Sequence, residues 1–582
     1  MCGIAGGMTK TGFQPQDQTL SKLTAALRHR GPDGEGLHVA DKVGLIHTRL
    51  AIIDPEHGAQ PFVANNSVAL VANGEIYNDL DIRRDLVESA FRTGSDNESI
   101  LHLYLRHGVA FAQHLRGMYA VALYDPRDKS LILARDPFGI KPLYIAEMPD
   151  GFWFSSEPQA LVTAGVLVPE VNEQARDELL ALQFSTGPET AFRGIKRVEP
   201  GETLVVRDGR IVDRSRLEPL SKEQFPHSNA VQTFETLWMD SVDAHRRSDV
   251  PYGVFLSGGI DSAAVMAAMA RLEDRPVIAY TAGFAGGTVH DEREHAAAVA
   301  NATQADHRAI EISPDVFWSY LPAMASCMDD PVADYAVVPT YMLAKAAAQD
   351  VKVVLTGEGG DEVFAGYGRY RASRRPWPFR KRPWSRHVFD RTGVLRQQPS
   401  EWRQTLAASE SRFEAQSWTR LQKSQALDIT HWLPQDLLTK VDRCLMAHGL
   451  EGRVPFLDDR LADFGFNLPD RDKIRGRLGK WTPRQWLSQA LPQAQPFSRK
   501  RGFSVPVGQW IEPQAERLAP LVSRQVGVAA CCDPEVVEHM FRTLNPQTAF
   551  PAWVLLFYAL WHQCHIVGIA HGGSVFDVLA QR

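Results

Sequence analysis

The chain has 582 residues, 44% hydrophobic, 9% aromatic and 23% charged: too much sequence for one compact core, and a globular composition that excludes a disordered, collagenous or coiled-coil protein. Lys and Arg number 63 against 69 Asp and Glu, a net charge of -6 at pH 7, so no basic surface recommends a nucleic-acid partner and any anion must be held locally. Six sparse cysteines without a C-x-x-C pair exclude a disulfide framework or zinc ribbon, and the lack of an export-type N-terminus or bilayer-length apolar run predicts a cytoplasmic protein with no membrane partner.

The first two hundred or so residues predict short strands between Gly- and Asn-rich turns, at Val43–Ile46, Val68–Ala72, Tyr119–Tyr124, Leu131–Ala134, Phe152–Phe154 and Thr203–Val206. Helices at about 19–28 and 97–107 cover them. From about residue 230 the texture changes. Strands Gly253–Leu256, Val277–Thr281 and Val351–Leu355 alternate with helices near 261–272, 291–301 and 339–349, the pattern of a parallel sheet with crossover helices. The polar stretch Asp208–Ser228 reads as a linker, giving domains 1–210 and 229–582 joined by 211–228. Arg374–Arg386, rich in Arg, Lys, Pro and Trp, reads as an exposed loop.

Cys2 becomes the first residue once Met1 is removed, and a free α-amino group with a pKa of about 8 then supplies a base beside the thiol without a histidine. A cysteine at this position carries no weight alone. Its company is Arg28-His29-Arg30-Gly31-Pro32-Asp33, His47 to Asp54, Asn73-Gly74-Glu75-Ile76-Tyr77-Asn78 and Gly94-Ser95-Asp96-Asn97-Glu98. In this order the segments resemble the class II glutamine amidotransferase domain, an N-terminal nucleophile (αββα) fold. The resemblance implies that Cys2 attacks the side-chain amide of glutamine in a pocket of Arg49, Leu50, Ile52, Ile53, Asn73, Gly74, Glu75 and Asp96. The residue types suit those roles: Arg49 as a fork for the α-carboxylate, Asp96 for the α-ammonium, and Asn73 with the Gly74 amide as an oxyanion hole. An ordinary tight turn is the alternative for Asn73-Gly74 taken by itself.

Tyr252 to Leu256 runs into Ser257-Gly258-Gly259-Ile260-Asp261-Ser262 and then into helix-forming Ala263 to Leu272. A strand, a Gly-rich turn carrying hydroxyls and a helix N-terminus make an anion site, because unpaired N–H groups and the helix dipole face the ligand. A plain capped turn is the alternative, and no G-x-x-x-x-G-K-[ST] occurs. The hexapeptide is similar to the PP-loop of ATP pyrophosphatases, which cut ATP between the α- and β-phosphates. Downstream, Thr356-Gly357-Glu358-Gly359-Gly360-Asp361-Glu362 resembles the second signature of asparagine synthetases. By that resemblance Leu256, Ser257, Gly258, Gly259, Asp261, Ser262, Ala282, Thr356 and Gly357 line an ATP site, Asp261 and Asp361 hold Mg2+, Glu358 is the base toward incoming ammonia, and Lys480 stabilises charge as ammonia attacks an adenylate. Further matching blocks include Asp330 to Asp334, Leu437 to Arg443, Glu451 to Asp458 and Lys500 to Pro506. Three positions depart from relatives: Ala263 stands where many carry a further Ser, which would remove a phosphate contact, Gly360 where they usually carry Ala or Ser, and Gly452 where Ala or Val is common.

The expected architecture is therefore α/β and multidomain, an αββα glutaminase domain followed by a PP-loop synthetase domain with a parallel sheet and a helical C-terminal part. The resemblance, to glutamine-hydrolysing asparagine synthetases, implies ATP-dependent amidation of aspartate to asparagine through β-aspartyl-AMP, yielding glutamate, AMP and pyrophosphate. The same half-reactions on a peptide, sugar acid or other secondary-metabolite carboxylate remain open at the level of motifs. Ammonia passing internally implies a tunnel lined by small apolar side chains, and a homodimer is common in the family. The last sixty or so residues carry no assignment; Trp561-His562-Gln563-Cys564-His565 reads as a packed amphipathic helix in preference to a metal site.

Overall fold

The computed structural model describes residues 2–13, 18–86, 91–220, 229–286, 291–375, 384, 387–390, 392–498 and 505–581. Most of the loop expected at Arg374–Arg386, the end of the expected linker (221–228) and Lys500 to Ser504 lie outside these residues.

Twelve strands build the first region: β1 Gly3–Thr9, β2 Gly34–Ala40, β3 Val43–Arg49, β4 Phe62–Val63, β5 Ala69–Ile76, β6 Gly117–Asp125, β7 Ser130–Arg135, β8 Tyr144–Met148, β9 Gly151–Ser155, β10 Lys196–Arg197, β11 Glu202–Arg207 and β12 Arg210–Arg216. They form two antiparallel sheets ordered β10-β8-β9-β1-β3-β2 and β12-β11-β7-β6-β5-β4. The inner faces meet through Ile4, Val43, Leu45 and Phe154 on one sheet and Val71, Ala122, Leu133 and Leu204 on the other. Helix Thr19–Leu27 covers the first sheet's outer face and helix Glu98–His107 the second's, so the layers run αββα.

The boundary expected after residue 210 falls inside this region, since β12 pairs with β11 from Arg207↔Arg210 to Glu202↔Arg216. Asp208 and Gly209 both have positive φ, the hairpin turn that Asp-Gly favours. The polarity that suggested a linker is that of an edge strand, whose residues are nearly all exposed or half-buried.

The second region carries β13 Tyr252–Phe255, β14 Ile278–Phe284, β15 Asp306–Ile312, β16 Val353–Leu355 and β17 Glu451–Arg453, all parallel and ordered β15-β14-β13-β16-β17. Successive strands step outward from β13 on one side, then restart beside it at β16. Such a reversal opens a crevice at the carboxyl ends of the two central strands. Those ends run into Ser257–Ser262 and Thr356–Asp361.

The two regions share an uninterrupted apolar core. Phe184 packs on Trp432 at 5.5 Å and Phe192 on Trp561 at 5.6 Å between ring centroids. Charge also crosses the boundary. Fully buried Arg30 donates to Glu157 at 2.7 Å and to both oxygens of Asp442 at 2.8 and 3.0 Å. Arg443 donates to Asp329 (2.6 Å) and to the Tyr144 hydroxyl (3.0 Å), and Arg197 to both oxygens of Asp330 (2.7 and 2.6 Å). This stretch of the boundary is ionic.

The C-terminal helix Ala549–His562 is buried continuously from Pro551 to His562, so it is an interior helix and not an amphipathic one. Its indoles donate to the carbonyls of Ala333 (Trp553, 2.8 Å) and Asp329 (Trp561, 3.1 Å), bracing the segment that faces the first region. Among the described residues, no helix is long and apolar enough to cross a membrane.

Candidate active sites

The first site is assembled by strand pairing. The Gly3↔Thr48 register of β1 with β3 brings Cys2 beside Arg49 and Leu50, and the Cys2 thiol lies 3.9 Å from the Leu50 carbonyl. The Cys2 amide donates to Asn73 Oδ1 at 2.9 Å, and Arg30 donates to the Cys2 carbonyl at 3.2 Å. Asn73 is wholly buried in β5, and its Nδ2 has no partner among the described residues. An unpaired buried donor is costly, and this one sits on the residue that already binds the nucleophile's backbone. Gly74 follows because a Cβ there would lie 2.2 Å from the Met118 carbonyl of β6, across the sheet.

The other expected pocket residues are held from outside the pocket. Arg49 donates to the carbonyls of Pro55 (2.9 Å), Ile53 (3.3 Å) and Asp54 (2.5 Å), which fixes its fork. Leu50, Ile52 and Ile53 are buried, and the Ile52 carbonyl accepts from Asp249 of the second region at 3.2 Å. Asp96 accepts from the Ile76 amide at 2.7 Å, and burial pushes its carboxyl up to about 6. Glu75 forms an ion pair with Arg453 of β17 at 2.9 Å, with burial holding it above the usual carboxylate range. Burial likewise raises the Cys2 thiol, so thiolate formation depends on a nearby base.

The second site occupies the crevice beyond β13 and β16. Ser257 and Ser262 hydroxyls lie 3.0 Å apart and tie the loop, with the Ser257 amide donating to Ser262 Oγ (3.1 Å) and the Gly259 amide to Ser257 Oγ (3.1 Å). A cavity of about 330 Å³ is lined by Leu256, Ser257, Gly259, Asp261, Ser262, Ala282, Thr356, Gly357, Glu358 and Asp361, ten of the residues expected at this site. Thr356 Oγ1 is buried there without a partner among the described residues. An adjoining cavity of about 340 Å³ shares Gly259, Asp261 and Glu292 with it, and Gly258 and Lys480 line this second lobe. Ala263 points into the core at 1% exposure, so a Ser there would not reach a ligand. Gly360 leaves room that a Cβ, 2.7 Å from Asp261 Oδ1, would fill.

Lys480 is the centre of charge. It adopts a left-handed backbone (φ 55°), a strained conformation for a side-chain-bearing residue. Its ammonium pairs with Asp261 and, at 2.8 Å, with Asp361. Burial would lower Lys480, but the two carboxylates outweigh it and hold it raised. The approach is close enough that a Cβ on Gly366 would lie 1.7 Å from Asp361 Oδ1.

Two hard carboxylates converging on one cation beside a phosphate-type loop fit Mg2+, which takes one or two carboxylates and completes its shell with water and phosphate oxygens. Among the described residues no group of three or more His, Cys, Asp or Glu could enclose a metal by itself. Asp261 and Asp361 would supply only part of such a shell.

Sequence reasoning passed over Glu292, whose carboxylate accepts from the Gly258 amide at 3.0 Å, and Lys440, which lines the cavity with Glu358. Both lie in segments set aside as matching blocks or helix starts, without a periodicity or spacing that marks a ligand.

Residues 1–216 match the glutamine amidotransferase domain family and residues 233–563 the asparagine synthase family. The chain is 30% identical to asparagine synthetase [glutamine-hydrolyzing] 1 of Bacillus subtilis, over 97% of each chain. It is 29% identical to asparagine synthetase B [glutamine-hydrolyzing] of Escherichia coli, over 90% of this chain and 86% of that one. With asparagine synthetase [glutamine-hydrolyzing] 3 of Arabidopsis thaliana it shares 30% identity over 88% of this chain and 80% of the other.

Proposed function

The chain belongs to the asparagine synthase family, and from that premise we propose that it amidates aspartate to asparagine with ATP, using ammonia released from glutamine in its own first domain. The observation that carries this reading is the cavity of about 330 Å³ that gathers the expected loop residues, Thr356 and Glu358 at the reversal point of the parallel sheet.

In the first half-reaction the Cys2 sulfur attacks the glutamine amide carbon, and the thiol proton passes to the α-amine exposed by removal of Met1. Asn73 Nδ2 and the Gly74 amide stabilise the oxyanion, while Arg49 and Asp96 hold the two charged ends of the amino acid. Ammonia leaves, and water then hydrolyses the thioester to glutamate. In the second, an aspartate β-carboxylate oxygen attacks the α-phosphorus of ATP and pyrophosphate departs, held by Ser257 to Ser262. Asp261 and Asp361 are the residues that would hold Mg2+, which when bound neutralises charge on the departing pyrophosphate. Ammonia attacks the acyl carbon, Glu358 takes its proton and AMP leaves. Burial raises the Glu358 carboxyl, which makes it a stronger base than an exposed carboxylate, although Lys440 pulls the other way.

The test is a product assay on the full-length protein with aspartate, glutamine and Mg-ATP. Asparagine, glutamate, AMP and pyrophosphate in equal amounts are expected. Glutamate without asparagine would remove aspartate as the acceptor.

A further inference from the structure

The proposed mechanism uses every charged residue of the cavity of about 330 Å³ except Glu292 and Lys440. Lys440 stands in the first turn of helix Thr439–Met446, 4% exposed, beside Glu358 and Val441 on the cavity wall. Its Nζ lies 2.6 Å from Asp334 Oδ2. Behind it, fully buried Asp436 accepts from Gln183 of the first region at 2.7 Å, while the other oxygen of that carboxylate has no partner among the described residues. Burial alone would lower the Lys440 ammonium, but Asp334, Glu358 and Asp436 keep it charged. The cavity wall therefore carries a cation, Lys440, with the Asp334 carboxylate 2.6 Å from its ammonium.

Both members are set before any ligand arrives. Ala333, next to Asp334, donates its amide to the Gln183 carbonyl at 2.7 Å, and its own carbonyl accepts from Trp553 at 2.8 Å. The main chain at Asp334 is thus pinned from the first region on one side and from the C-terminal helix on the other. Gln183 itself is a left-handed non-glycine residue (φ 74°), a conformation retained only where its surroundings impose it.

We propose that the Lys440–Asp334 pair is the subsite that reads the head group of the carboxylate acceptor, Lys440 taking the α-carboxylate and Asp334 the α-ammonium of a free α-amino acid. This rests on the amidation reading above. A zwitterion lies against a preformed ion pair with its charges reversed, so each charge exchanges one partner for another and the pocket's net charge is unchanged. An acceptor without a free ammonium, such as a sugar acid or an acylated amino acid, would give Asp334 no new partner after drawing Lys440 away. A site built for a polar group rejects an analogue lacking it strongly, because the buried partner is left unpaired.

The experiment is pyrophosphate release by the full-length protein with ammonia as nitrogen source and Mg-ATP, titrating aspartate, N-acetylaspartate or succinate, in wild type, Lys440→Gln and Asp334→Asn. Wild type should turn over aspartate and neither analogue. Each variant should raise KM for aspartate about tenfold or more, with KM for ATP within about twofold. Asp334→Asn is isosteric and half-buried, so it carries the test if Lys440→Gln proves unfolded by circular dichroism. Wild type that releases no pyrophosphate with aspartate overturns the amidation reading and the subsite together. Wild-type turnover with an unchanged aspartate KM in the folded variants, or equal turnover of N-acetylaspartate, overturns the subsite alone.

Discussion

The two sites are organised in opposite ways. Around Cys2, positions are dictated by main chain: a sheet register, the amide of Cys2 on Asn73, three carbonyls around Arg49. Around Lys480 and Lys440, positions are dictated by side-chain charges that neutralise one another, Asp261 and Asp361 on one lysine and Asp334 on the other. The first arrangement is rigid and specific before substrate arrives. The second must exchange partners when a polyanion and its cation enter, so its charges are matched to the ligand more than to each other. Hydrolysis of one small amide suits the former, and binding of a highly charged nucleotide suits the latter.

The largest effect that would break this division is expected from Cys2→Ala. Glutamine-dependent synthesis should fall by a factor on the order of 10⁴ or more, while ammonia-dependent synthesis stays close to wild type. Parallel assays with the two nitrogen sources decide it, and loss of both would mean the sites are not separable. Next comes Asp261→Ala, which leaves Lys480 with one carboxylate. Pyrophosphate release should drop about a hundredfold or more under either nitrogen source, with glutaminase activity retained. Undiminished release would remove Asp261 from metal and phosphate handling.

The smallest effect concerns pH and sharpens the contrast. Burial raises the Asp96 carboxyl to about 6. Holding the glutamine ammonium requires the ionised form, which is complete above that value and is lost as pH falls through it. KM for glutamine should therefore climb below about pH 6, approaching tenfold per pH unit, with kcat for the bound complex much less affected. A glutamine KM that is flat from about pH 5 to 8 would show that Asp96 does not carry the contact.

Much of this organisation was legible from residues alone, for identifiable reasons. β6, β7, β11 and β16 announced themselves because each is a run of apolar residues bounded by turn formers, and both loops of the second site follow such a run. The hairpin at Asp208-Gly209 was equally legible from its turn residues, but the polarity of an edge strand masked it. β1 was missed: with three glycines in Gly3 to Gly7 it lacks strand propensity, and it is a strand because β3 and β9 flank it on both sides. The interior nature of helix Ala549–His562 could not be read locally, since a helix buried all round shows no period. Of the sites, residue identities were predictable wherever a motif clusters them in sequence. Lys440 and Asp334 were not, because they are brought together only by tertiary packing.

The Arg30–Asp442 contact spans 412 positions of sequence. Leaving a buried charge without its partner costs about 3–5 kcal/mol. During synthesis, the N-terminal sheets emerge long before Asp442 exists, so until then Arg30 has Glu157 of its own domain but not the second carboxylate that its guanidinium grips. The arginine that donates to the nucleophile's carbonyl therefore gains its full set of carboxylate contacts only once the chain beyond β16 is present, which ties the geometry at Cys2 to the domain that follows it.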